Sequence, residues 1–211
     1  MRLAGLVAGA AATALVAAGA ITYAVAEDGA GSGTRPATTP SADSADAGFA
    51  RDMAVHHQQA VEMSYIVRDR TSDAEVRRLA YDIAQTQANQ RGMLLGWLDL
   101  WGLPKVSAAP PMTWMGMGDA AAGKDGALMP GMATNAQMKK LGELRGRQAE
   151  VFYLQLMTAH HKGGIHMAEG CVAKCTVDVE KRLAQGMVDA QQSEIRLMAD
   201  MLKKRGAAPR S

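Results

Sequence analysis

Apolar residues from position 49 onward recur every three or four residues, the period of one helix face. Phe49, Met53, Ala60, Met63 and Val67 form one such stripe and predict a first helix over about 46–70. Val76, Leu79, Ala80, Ile83, Leu94, Trp97 and Trp101 predict a second over about 74–101, with Gly102 and Pro104 as its stop. Ser72-Asp73-Ala74-Glu75 has the form of a capping box opening that helix. The pattern then returns, predicting helices over about 148–173 and 178–205. Between them, Thr134-Asn135-Ala136-Gln137 has the form of another capping box, starting a short helix. No strand alternation occurs.

The return has a fixed offset. His56-His57 and His160-His161 lie 104 residues apart, and Met53/Met157, Met63/Met167, Gln87/Gln191 and Gly102/Gly206 match at the same spacing. An internal repeat constrains the fold before any local detail does. Two helical hairpins, each with one apolar face, must bury those faces on each other as an all-α antiparallel four-helix bundle with pseudo-twofold symmetry. The bundle is expected over 48–206, with a first hairpin at 48–102, a Met-rich connection at 103–147 and a second hairpin at 148–206. The stretch 104–133 is long for a structureless link, so it is either a crossover packed on the bundle or a functional loop.

Residues 1–26 begin with one Arg, run apolar from Leu3 to Val25 and end in Ala24-Val25-Ala26, the small-x-small form of a cleavage site. This apolar helix is expected to be a signal peptide or an uncleaved membrane anchor. Both readings place the rest of the chain outside the cytoplasmic membrane, secreted or anchored. Residues 27–47 are rich in Gly, Ser, Thr, Pro, Ala and Asp and read as a flexible linker. A net charge of +2 with scattered Lys and Arg excludes a nucleic-acid surface. Methionine is abundant, 15 of 211 residues, and this steers the chemistry below.

Each apolar stripe is interrupted once: at His56-His57, at Gln87 and Gln90, at His160-His161, and at Gln191 and Glu194. Positions 57 and 87 are equidistant from the first turn, and 161 and 191 from the second. The four interruptions therefore share one level. Met53 stands at i−3 and i−4 from His56 and His57, and Met157 likewise from His160 and His161. Imidazole beside thioether is a soft, neutral ligand set suited to monovalent copper, with zinc or iron also open. The competing reading is a satisfied polar layer with Met as core filler. Met63 and Met167 lie about 10 Å along the axis from the first His of each pair, so they belong to the core or to a second site. Glu62 and His166 occupy equivalent positions on another face, and Asp52 is a second acid within reach of the layer. Cys171 and Cys175 suggest a disulfide in an exported chain, or a thiol pair for a soft metal. Met112, Met115 and Met117 cluster around Trp114, either as copper-capturing thioethers or as a cover for the bundle end.

The segments at 49–64 (FARDMAVHHQQAVEMS) and 152–169 (FYLQLMTAHHKGGIHMAE) resemble the two signature helices of a bacterial family, the domain of unknown function numbered 305. LMPGMATNAQMKKL at 128–141 resembles the segment leading into the second signature, and Gln191-x-x-Glu194-Ile195-x-x-Met198 its closing helix. The resemblance covers about 46–206. It implies a ferritin-like four-helix fold, export, and a link to copper binding and tolerance, and so a metal role for Met53, His56, His57, Met157, His160 and His161. Gln90 departs from the family by standing where an acid is common, and Gly163-Gly164 is expected to loosen the second signature helix. The leading expectation is a non-enzymatic, extracytoplasmic copper-binding protein for sequestration or transfer. The alternatives are a metal-free bundle that binds a partner, and a ferritin-like oxidoreductase. The last requires several carboxylates and Glu-x-x-His facing inward. Oligomeric state is left open.

Overall fold

The computed structural model describes residues 39–118 and 123–209. The expected signal or anchor at 1–26 and most of the linker lie outside the described residues. Five α-helices and one 3₁₀ turn occur among the described residues, and no strand. Helix α1 spans Ala45–Arg68, α2 Ala74–Leu100, the short α3 Asn135–Glu143, α4 Gly146–Lys174 and α5 Asp178–Lys204. α1 packs on α2 and α4 on α5, and the two hairpins meet through α1 and α4. No helix among the described residues is long and apolar enough to cross a membrane.

Local chemistry explains the boundaries. Ser44 caps α1 by accepting from the Ala47 amide, so Ala45, Asp46 and Ala47, assigned to the linker from composition, form the first helical turn instead. Asp73, rather than Ser72, caps α2 by accepting from Val76 N–H. Thr134 and Gln137 form the reciprocal capping box of α3. α4 is continuous through Gly163-Gly164, against the expected loosening. The close approach of two neighbours explains why glycines stand there. A Cβ on Gly163 would fall 2.0 Å from the Pro130 carbonyl oxygen, and one on Gly164 2.5 Å from Gln191 Oε1. The connecting segment is thus a crossover packed on the bundle. Its Ala133 exchanges two hydrogen bonds with the Gln59 amide, at 2.7 and 2.9 Å.

The hairpins are docked by two acids related by the repeat offset. Glu150, at the start of α4, accepts from Thr71 Oγ1 (2.6 Å) and Arg205 Nε (2.8 Å) at the turn of the first hairpin. Asp46, at the start of α1, accepts from the amides of Thr176 and Val177, both at 2.8 Å, where α5 lacks a side-chain cap of its own. Beside Asp46, the wholly buried Glu180 has neither carboxyl oxygen in hydrogen-bonding geometry. Burial first, and then the negative charge of Asp46, push its carboxyl up to about 9. Cys171 and Cys175 form a disulfide with Cα atoms 4.8 Å apart, Cys175 sitting at the C-cap where the chain leaves the helix.

Between pH 4.5 and 9 the folded chain therefore keeps a Glu180 proton that the unfolded chain has released, and stability falls as pH rises through this window. The expected decline approaches about 1 kcal/mol per pH unit between pH 7 and 9 in denaturant titrations, and Glu180→Gln flattens it. Gly163→Ala is expected to lower stability by about 1–3 kcal/mol through overpacking against Pro130. Gly186→Ala is its control: that helical site has nothing within 4 Å, and the substitution is expected to raise stability by about 0.5–1 kcal/mol. Thermal melts of both variants check this pair.

Candidate metal centre

The interior is two apolar clusters rather than one. The first contains Phe49, Met53, Leu94, Leu98, Met129, Met167, Met187 and the disulfide, and the second Met63, Ile83, Tyr153, Met157, Met198 and Met201. Along every long helix the break between the clusters falls at the polar interruption read from the sequence. Antiparallel packing, with each break equidistant from its hairpin turn, places all four breaks at one height, and the polar residues form a slab across the middle. All four paired histidines are buried, none more than 1 % exposed, and Gln87 and Gln191 are buried beside them.

The rings do not lie at random. The His56 and His160 rings stack with centroids 3.7 Å apart and planes 32° from parallel, at the crossing of α1 and α4. His57 Nε2 donates to Gln90 Oε1 at 2.9 Å, and His161 Nε2 donates to Glu194 Oε2 at 2.6 Å. These are equivalent bonds in the two halves, with an amide in one and a carboxylate in the other. His160 Nε2 donates to the His56 carbonyl at 3.0 Å. Since carbonyl and carboxylate oxygens only accept, each of these three rings carries a proton on Nε2, and the neutral His57 and His160 rings keep a lone pair on Nδ1. Those three Nδ1 atoms and both nitrogens of His56 are buried without a hydrogen-bond partner. The Pro130 carbonyl lies near enough to favour a proton on His56, but not in bonding geometry.

Burial governs the charge of the layer. It lowers His56 and His57 to about 3 and His160 well below its ordinary value, with repulsion among the neighbouring rings adding to the effect. His56, His57 and His160 are therefore neutral and lie buried from water at the middle of the bundle.

Of the residues expected at the site, the structure gathers His56, His57, His160, His161, Gln87, Gln90, Gln191 and Glu194 into the layer. It does not gather the methionines into one shell. Met53 lies in the first cluster and Met157 in the second, so they bracket the layer from opposite sides. Met63 joins the cluster of Met157, and Met167 that of Met53, both wholly buried. Asp52 is not in the layer. Its Oδ2 accepts from the Met112 amide at 2.7 Å and Trp114 Nε1 at 2.9 Å, because its place on α1 faces the connecting segment. Among the described residues, the only His, Cys, Asp or Glu atoms gathered three together within 4.8 Å are Cys171, Cys175 and Glu180, and both sulfurs there are committed to the disulfide. No three such atoms of the described histidine layer lie within 4.8 Å of one another. Sequence reasoning missed Pro130 and Gln59, whose roles depend on where the crossover falls, although Gly163-Gly164 marked the place.

No curated protein matches the chain significantly. Among solved structures, it is similar to a candidate secreted DUF305 protein from Streptomyces coelicolor, at 75% identity and TM-score 0.76, covering 81% of this chain and 99% of that one. It is similar at 29% identity and TM-score 0.62 to a DUF305 fragment from Deinococcus radiodurans, covering 76% and 96% of the two chains. CopM in a Cu(I)-bound form shares the fold at 18% identity and TM-score 0.58, over 75% and 96%. The profile described as Domain of unknown function (DUF305) matches residues 46–202, and the chain belongs to that family.

Proposed function

We propose that the protein is an extracytoplasmic, non-enzymatic binder of monovalent copper, held in the central layer by imidazole nitrogens with thioether support. The observation that carries this reading is that each of the four buried imidazoles has a ring nitrogen without a hydrogen-bond partner. An unsatisfied buried polar atom costs about 1–3 kcal/mol, so four such rings at one level are accounted for by a ligand that meets their lone pairs. The description of the Streptomyces relative as a candidate secreted protein and the copper-bound forms of CopM support the compartment and the ion.

The donor set favours the monovalent ion on three grounds. Neutral imidazole and thioether are soft ligands. A layer in which no three His, Asp or Glu ligand atoms lie within 4.8 Å of one another suits a low coordination number better than the closed tetrahedron of structural zinc. Finally, Glu194 is the only acidic group in the layer, so a single positive charge is neutralised there, whereas a divalent ion leaves a buried net charge. The hydrogen bonds of Gln90 and Glu194 to the far nitrogens fix ring orientation and raise basicity, as outer partners of metal-bound histidines do. His56 and His57 with Met53, and His160 and His161 with Met157, form two facing half-sites. One carboxylate is too few for a di-iron oxidase centre, and this argues against the oxidoreductase alternative.

The test is chelator competition for Cu(I) under anaerobic, reducing conditions with untagged protein. Met53→Leu/Met157→Leu, a near-isosteric pair that preserves the fold, is expected to weaken Cu(I) binding tenfold or more. Full retention of copper after replacement of all four paired histidines would sink the central site. A second expectation concerns acid. The unfolded rings take up protons below about 6.5 whereas the folded ones resist until about 3, so the metal-free protein loses stability as pH falls through that window. The slope approaches about 1.4 kcal/mol per pH unit for each such ring, read from denaturant midpoints at pH 7, 6 and 5.

A further inference from the structure

The Met-rich turn at 112–117 is built onto the bundle rather than draped over it. Asp52 grips it through two hydrogen bonds, to the Met112 amide and the Trp114 indole. Trp114 lies against Gly48, where any Cβ would fall 2.5 Å from its ring, and meets Phe49 edge-on at 5.9 Å. Met112 and Gly116 both take left-handed backbone, at φ 66° and 78°, reversing the chain around a short 3₁₀ turn. Met112 is wholly buried. Met115 and Met117 are half-buried and lie on the outer side of α4. There Met117 Sδ stands 3.4 Å from His166 Nε2, and the Met115 thioether occupies the space a Gly170 side chain would fill, one helical turn beyond His166.

We infer that Met115, Met117 and His166 form a second, peripheral site for monovalent copper. Bonds of about 2.0 Å to imidazole nitrogen and about 2.3 Å to sulfur, meeting at an angle between tetrahedral and trigonal, place those two atoms about 3.5–3.7 Å apart. The observed 3.4 Å is slightly shorter, so a small side-chain adjustment lets an ion bridge them. The set is neutral and soft, which excludes magnesium and calcium and selects Cu(I) or Ag(I). Glycine at 170 leaves room for the Met115 thioether against α4 one turn from His166, and the Asp52 clamp holds the turn that carries both methionines. The site is accessible from solvent, since His166 is exposed. It lies about 9 Å along α4 from His160. Met167, Met53 and Met187, all in the first apolar cluster, fill the interior toward the layer. An ion taken up at the surface thus has thioethers on its way inward.

The test uses the full chain with methyl-labelled methionine and Ag(I), a redox-inert, diamagnetic probe, together with chelator competition for Cu(I). The Met115 and Met117 methyl signals are expected to shift on Ag(I) addition, and His166→Gln/Met117→Leu to remove one bound equivalent of Cu(I) with the melting temperature unchanged. Met115 and Met117 signals unmoved at saturating Ag(I), or an unchanged number of bound ions in the variant, overturn the site. The Met53 and Met157 signals report the central layer separately. If they stay silent while the peripheral pair responds, the central reading fails and this one stands.

Discussion

The stack of His56 on His160, where α1 crosses α4, is the contact around which the molecule is arranged. Two neutral imidazoles at a 3.7 Å ring separation hold the hairpins together without an apolar side chain at the centre of the interface. The arrangement survives only because water is excluded and the rings stay unprotonated. A proton on either would place a charge in a low-dielectric interior, which burial and the neighbouring rings both oppose. The chain spends its helix caps, docking acids and crossover on keeping that layer closed.

Several features that look unrelated follow from this constraint. The core divides into two clusters because the layer separates them. Gln90 and Glu194 sit at matching positions because each orients the outer nitrogen of one histidine and so directs the other nitrogen inward. Gly163 is small because the Pro130 carbonyl must reach the bundle surface beside the His56 ring. At the ends, Asp46 and Glu150 lock each helix start onto the turn of the opposite hairpin. These links fix the relative height of the hairpins, and therefore whether the rings meet at all.

The duplicated halves are equivalent in plan and unequal in chemistry. The first offers a neutral amide to its histidine, the second a carboxylate. The first has Thr71 at its turn, whereas the second has Cys175 and a disulfide. His160 bonds to the His56 carbonyl, and His56 has no matching bond. A symmetric scaffold has thereby acquired one charged side. The Met turn adds a further asymmetry, reaching α4 at His166 where the first half carries Glu62.

What the sequence determined by itself is whatever depends on period and offset. Helix number, the duplicated hairpins, the shared height of the His and Gln/Glu positions and the capping box at Thr134 all follow from spacing along the chain, because a helix converts spacing directly into height and face. Only the tertiary structure decided which groups meet across elements. It moved Asp52 out of the layer to hold the Met turn, set Met53 and Met157 on opposite sides of it, kept α4 straight through Gly163-Gly164, and buried Glu180 without a partner. Those outcomes depend on how the two hairpins are rotated and on where the crossover lands. Helical periodicity is blind to both, since it fixes a residue's face but not what that face will touch.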